Sequence, residues 1–170
     1  DREKIANFLE SSFEKGFVDD GVLAQDNAQA SQIWHIREVV TENLPKEGYV
    51  YKYDLSFPVK AMYTIVDELR ELVGSSAKVF SHGHLGDGNV HVNITSDVFD
   101  PELAKKIEDF IYPRTAELRG SISAEHGIGV MKVREMEEYS KPESVIKTMK
   151  QIKKLFDPNG ILNPYKVLTG

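Results

Sequence analysis

The sequence predicts an α+β fold: an antiparallel sheet with helices on one face, a ferredoxin-like split βαβ core, and further helices flanking it at both ends. Two observations carry this. Between Tyr49 and Glu125 the apolar spacing changes in the order strand, helix, strand, strand, helix, strand. On either side of that block the long apolar patterns have helical spacing only.

The first helix is "KIANFLESSFEKG", with Ile5, Phe8, Leu9 and Phe13 on one face and Gly16 as its stop. A second is expected from about Asn27 to Asn43, burying Ile33, Ile36 and Val40; Arg37 and Thr41, four apart, share an adjacent face. In "YVYKYDLSFP", Tyr49, Tyr51, Tyr53 and Leu55 alternate with Val50, Lys52, Asp54 and Ser56, which is strand periodicity that Pro58 ends. "VKAMYTIVDELRELVG" is an amphipathic helix through Met62, Ile65, Val66, Leu69 and Val73. Two short strands, "AKVFSH" and "VHVNIT", flank the turn "GHLGDGN". A helix follows in "PELAKKIEDFIYPRTAELR", where Pro113 is expected to end or kink it. "GSISAEHG" reads as a last strand entering a glycine turn. The tail is helical up to Asp157-Pro158 and irregular beyond.

Composition narrows the function. The 170 residues carry 21 basic and 27 acidic side chains, a net charge of -6 that argues against a nucleic-acid-binding module. No apolar run is long enough to span a bilayer. Without cysteine there are neither disulfides nor thiolate metal sites, so any metal is held by histidine, carboxylate, carbonyl or water.

Three of the five histidines lie within "SHGHLGDGNVHVNI". In its second strand Val90, Val92 and Ile94 point one way, towards the helices, while His91 and Asn93 point the other. Gly83, Gly86 and Gly88 let the turn bring His84 to the face of His91. Glu125 and His126 arrive from "SAEHGIG". His84, His91 and Glu125 then form a three-ligand set for a divalent metal with coordination positions left for substrate. Spacing alone does not decide this, because a strand histidine is more often a hydrogen-bonded structural residue. His82 reads as structural, His35 as surface and Asp87 as a turn former. Lys52 and Arg37 default to solvent; turned to the metal face, they would neutralise a small anion. "GHLGDG" lacks the Lys-Ser/Thr of a phosphate-binding loop and opens no helix.

Taken together, "GHLGDGNVHVN", "SAEHGIG" and "LFDPNGILNPYKVL" resemble the C-terminal half of FAD-linked 2-hydroxy-acid dehydrogenases of the vanillyl-alcohol-oxidase type. Within that family "GYVYKYDLS" and "SKPESV" are most similar to the members that oxidise a five-carbon 2-hydroxy diacid, ahead of those acting on D-lactate or glycolate. The resemblance implies a substrate-binding cap domain over residues 1–140 and a C-terminal helical segment, 141–170, that returns to a separate FAD-binding domain. It implies zinc or another divalent metal on His84, His91 and Glu125, and His126 as catalytic base. It implies substrate contacts from Arg37, Thr41, Lys52, Asn93 and His126, and an Asn163 near the flavin. The implied partners are a small 2-hydroxy acid and an electron acceptor such as electron-transfer flavoprotein. The implied location is mitochondrial in a eukaryote and cytoplasmic otherwise. Two readings of other classes stay open: a flavin-independent metal hydrolase or oxygenase, and a non-catalytic binding module with structural histidines.

Overall fold

The computed structural model describes residues 1–169 and divides the chain into two compact units, Asp1–Asn43 and the remainder from Leu44. The first unit holds α1 (Arg2–Glu14) and α2 (Asn27–Asn43). Gly16, at φ +67°, follows α1 as expected, its N–H bonded to the Phe13 carbonyl at 2.9 Å. The expected buried face of α2 does not form: Ile33, Ile36 and Val40 are exposed and no residue of α2 is buried. Apolar spacing sets which residues share a face, but burial needs a partner surface, and within this unit only Ser12 is buried.

The second unit is built on β1 (Tyr49–Ser56), β2 (Lys78–His84) and β3 (Asn89–Ser96), an antiparallel sheet in the order β1-β3-β2. Its helices are α3 (Thr64–Val73), α4 (Pro101–Glu117), the short α5 (Val133–Glu135) and α6 (Glu143–Phe156). The class is therefore α+β, with three strands in an open sheet. Among the described residues no helix is long and apolar enough to cross a membrane.

Pairing registers place Tyr51 opposite Ile94, Tyr53 opposite Val92, Leu55 opposite Val90 and Val79 opposite Ile94. These side chains line one face, and Ile65, Leu69, Ile107, Ile111 and Ile122 fill the core with them, each fully buried. Asp100 caps α4, its carboxylate accepting the N–H of Glu102 at 2.9 Å and of Leu103 at 3.3 Å.

Two expected elements differ. α4 runs unbroken through Pro113. An interior proline costs roughly 3 kcal/mol, and burial of Leu103, Ile107, Ile111 and Tyr112 outweighs it. The last strand is reduced to a single bridge, Ser56 with Ser121. Beyond it the backbone N–H groups of Glu125 and His126 bond to the Asp54 side chain, so they are not available to a ladder.

α3 and α4 are joined by Arg114, whose Nε and Nη2 donate to Glu68 at 2.8 and 2.6 Å, while Nη1 donates to Glu117 at 2.8 Å. The hydrogen bond from Arg114 holds the Glu68 carboxyl below its ordinary range against the opposing effect of burial. A depressed carboxyl contributes stability that is full above its unfolded pKa and is lost as pH falls through its folded value. We expect Glu68→Gln to cost about 1 kcal/mol at neutral pH, given a bidentate but partly exposed pair. Chemical denaturation across pH checks it: the gap to wild type should close in acid.

Candidate metal and substrate site

The face of the sheet turned away from the core is polar, and register arranges it in rows. Lys52, Asn93 and Phe80 form one row, Asp54, His91 and His82 the next, and Ser56, Asn89 and His84 the third. Parity thus puts His91 and Asn93 on this face, opposite to Val90, Val92 and Ile94. The hairpin between β2 and β3 turns at Leu85–Gly88, with the Gly88 N–H bonded to the His84 carbonyl at 3.1 Å. Asp87 is a turn former, its carboxylate accepting the Asn89 N–H at 3.0 Å. Gly88 has φ +77°, and its carbonyl accepts the Phe57 N–H at 2.9 Å.

Four side chains from three segments converge here. Asp54 of β1, His91 of β3 and the consecutive Glu125 and His126 can bring one ligand atom each within 4.8 Å of one another. His91 Nε2 lies 2.9 Å from Glu125 Oε1, and its Nδ1 lies 3.6 Å from Asp54 Oδ1. The His126 ring stacks on that of His91 with centroids 5.4 Å apart, and its Nδ1 is 3.9 Å from Asp54 Oδ2. Asp54 is 1% exposed, whereas the Glu125 side chain is 50% and that of His126 62% exposed. The cluster is therefore closed on the β1 side and open on the other.

Burial pushes the Asp54 carboxyl up. The N–H groups of His126 and Glu125, with the charges of His126 and His91, outweigh it and hold the group below its usual value. Lys132 is half-buried and carries a further positive charge within electrostatic range of Asp54; burial pushes its ammonium down. Two imidazoles and two carboxylates without thiolate suit a divalent ion such as zinc, iron or manganese. Asp54 Oδ1 is buried and makes no hydrogen bond; it faces His91 Nδ1, while His91 Nε2 and the exposed Glu125 carboxylate stand on the open side where an ion could be held.

His84 stands at the end of β2 on the same face, exposed, its ring 5.8 Å from that of His91 and nearly perpendicular to it. It is not among the four converging residues. Lys52 and Asn93 are directly opposed, one row from His91; Asn93 is 3% exposed and its Nδ2 makes no hydrogen bond. His82 faces the same side, its ring 4.9 Å from His91. Arg37 and Thr41 belong to α2 in the other unit, where the Arg37 guanidinium lies 5.0 Å from the centre of the Trp34 ring. Asn163 sits in the irregular tail at φ +47°, its Oδ1 accepting from Lys166 Nζ at 3.2 Å. Asp157 anchors the start of that tail: it is buried and accepts the N–H of Ile161 at 3.0 Å and of Leu162 at 2.9 Å.

The family model for the C-terminal domain of FAD linked oxidases matches residues 1–167. The chain belongs to this family. Its relatives include mitochondrial D-2-hydroxyglutarate dehydrogenases of Arabidopsis thaliana, 56% identical, and Rattus norvegicus, 48% identical, each aligned over 99% of this chain. A D-2-hydroxyglutarate–pyruvate transhydrogenase of Saccharomyces cerevisiae is 36% identical over a similar span. The alignments cover 30%, 31% and 36% of those proteins, so the chain spans about a third of their length.

Sequence reasoning assigned no role to Asp54. The signal was present in β1, where Asp54 shares the parity of Lys52 and interrupts a run of Tyr53 and Leu55, a position from which aspartate is normally depleted.

The hairpin that carries His84 and His91 depends on Gly88, where a Cβ would collide with the Phe57 carbonyl oxygen. Gly88→Ala should therefore cost roughly 1–3 kcal/mol or more, because a left-handed backbone is added to the collision. Gly86→Ala meets nothing and should stay within about 0.5 kcal/mol. Urea titration of the two variants separates them.

Proposed function

We propose that the full-length protein is an FAD-dependent oxidoreductase that converts (R)-2-hydroxyglutarate to 2-oxoglutarate, this chain supplying the substrate- and metal-binding part. The observation that carries the reading is the convergence of His91, Glu125 and His126 on one polar sheet face, beside Lys52 and the unpaired amide of Asn93. The names of the aligned relatives support the substrate. In a eukaryotic source the location is mitochondrial, as those names state for the relatives. Residues 1–140 act as the cap over the substrate and 141–170 as the segment returning to the FAD domain, with Asn163 towards the flavin. Electrons leave to an acceptor protein such as electron-transfer flavoprotein.

His91 and Glu125, with His84 one row away on the same face, would hold the divalent metal, which would supply Lewis acidity towards the substrate's carboxylate and hydroxyl. Flavin bound by the rest of the full-length protein would supply the acceptor for the C2 hydride. His126 takes the hydroxyl proton. Its Nδ1 faces Asp54, which leaves Nε2 as the accepting nitrogen and places a carboxylate behind the imidazolium that forms. Asn93 Nδ2 donates to a substrate carboxylate oxygen, and Lys52 opposite it adds a positive charge. Arg37 takes the distal carboxylate of the diacid, with Thr41 one helical turn away adding a hydrogen bond.

Replacing Glu125 by Ala in the full-length protein should lower metal affinity by on the order of 100-fold or more, while FAD content is unchanged. Metal analysis and the flavin spectrum read both; wild-type metal content with normal turnover would sink the assignment. Arg37→Ala should reduce kcat/KM for the five-carbon diacid roughly 10- to 100-fold, the value of a charge-assisted hydrogen bond, and affect D-lactate little. Equal losses on both substrates would remove Arg37 from the distal carboxylate.

A further inference from the structure

The chemistry proposed above uses a fully buried charge, Asp54, only behind His126, although the same carboxylate also faces His91. Asp54 lies mid-strand, where an unpaired carboxylate is costly, and it touches both segments that build the site. Its Oδ2 accepts the N–H of Glu125 at 2.9 Å and of His126 at 2.8 Å, with Ser123 Oγ at 3.4 Å. Its Oδ1 faces His91 Nδ1 at 3.6 Å and has no hydrogen bond.

We propose that Asp54 is the positioning residue of the site: without binding the ion, it orients the ligand His91 and locks the Glu125–His126 turn. This rests on the metal reading given above. Two features separate positioning from ligation. Oδ2 is already occupied by two backbone donors, which also hold it away from the open side of the cluster. Oδ1 is on the Nδ1 side of the His91 ring, whereas Nε2, on the other side, meets Glu125 Oε1 at 2.9 Å. An ion held by Nε2 and Glu125 is separated from Asp54 by the imidazole itself. The carboxylate then favours a proton on Nδ1 and leaves the Nε2 lone pair for the metal, the arrangement by which carboxylates tune ligating histidines. Through its other oxygen it sets where two consecutive residues emerge, so the ligand Glu125 and the base His126 are delivered together.

The test uses the full-length, FAD-loaded protein with Zn2+ as probe. Asp54→Asn keeps a side-chain oxygen for the backbone donors and removes the charge. Zinc affinity is expected to fall about 10- to 100-fold, with FAD content retained and kcat falling more than KM changes. Unchanged zinc affinity in Asp54→Asn, alongside lost binding in His91→Ala, overturns the role of Asp54 and leaves the metal reading standing. Zinc loss as complete as in Glu125→Ala makes Asp54 a ligand and overturns it equally. Failure of the wild type to bind zinc overturns both. A crystal structure of the zinc-loaded wild type decides the matter even if the variant does not fold. Ligation through His91 Nε2 with Asp54 on Nδ1 supports the proposal, and zinc on Nδ1 or on Asp54 refutes it.

Discussion

The central position of β3 is the constraint on which the rest depends. Paired on both edges, it has one register with β1 and one with β2, and its side chains alternate between two environments. Val90, Val92 and Ile94 go to the core; Asn89, His91, Asn93 and Thr95 go to the polar face. A slip of one residue would exchange the sets, burying an imidazole among isoleucines and exposing the core. The helices enforce the register, because α3 and α4 present apolar surface only to the first set. Core packing and site geometry are therefore one specification, and a change in the core of β3 reaches His91 through the backbone.

The site's second segment arrives by a different device. Residues 121–127 begin as a strand would, with the Ser56–Ser121 bridge, and are then drawn off the ladder by a side chain. Asp54 accepts two N–H groups that a fourth strand would have used in pairing, and Ser123 Oγ accepts the Gly127 N–H at 2.9 Å to close the turn. A regular strand would send Glu125 and His126 to opposite faces. The turn allows both to reach the same cluster.

This explains what could be read from the sequence. The parity of "VHVNI" and the faces of α3 follow from local periodicity, and they appear in the structure. Of the expected set His84, His91 and Glu125, the structure brings His91 and Glu125 together with Asp54 and His126 and leaves His84 outside. The loss of the last strand, the continuity of α4 through Pro113 and the role of Asp54 do not follow from local periodicity. Each is decided by a partner far along the chain: Asp54 by residues 71 and 72 positions away, and α4 by the core it covers. The open face of α2 has the same origin, since periodicity names a face and does not supply its cover. A strand aspartate between two core residues was the available clue, and it became meaningful only once the backbone donors stood opposite it.

The polar face is an expensive arrangement for a small sheet. Asn93 Nδ2, Thr95 Oγ1 and Asn89 Oδ1 are buried without hydrogen bonds, and Asp54 Oδ1 joins them. An unsatisfied buried polar group costs about 1–3 kcal/mol, so apolar residues at these positions would give a more stable sheet. These four lie on β3 and β1, on the face opposite the core, in the rows that hold His91 and Lys52 and in the rows beside them. The core on the other side, with seven hydrophobic side chains at 0% exposure, carries the stability that lets this face remain unpaired. Donors and acceptors that are already desolvated and fixed in a ladder lose little further entropy when a ligand meets them. The same incomplete hydrogen bonding that weakens the isolated sheet leaves its polar face with two unused donors, Asn93 Nδ2 and Thr95 Oγ1, and two unused acceptors, Asn89 Oδ1 and Asp54 Oδ1.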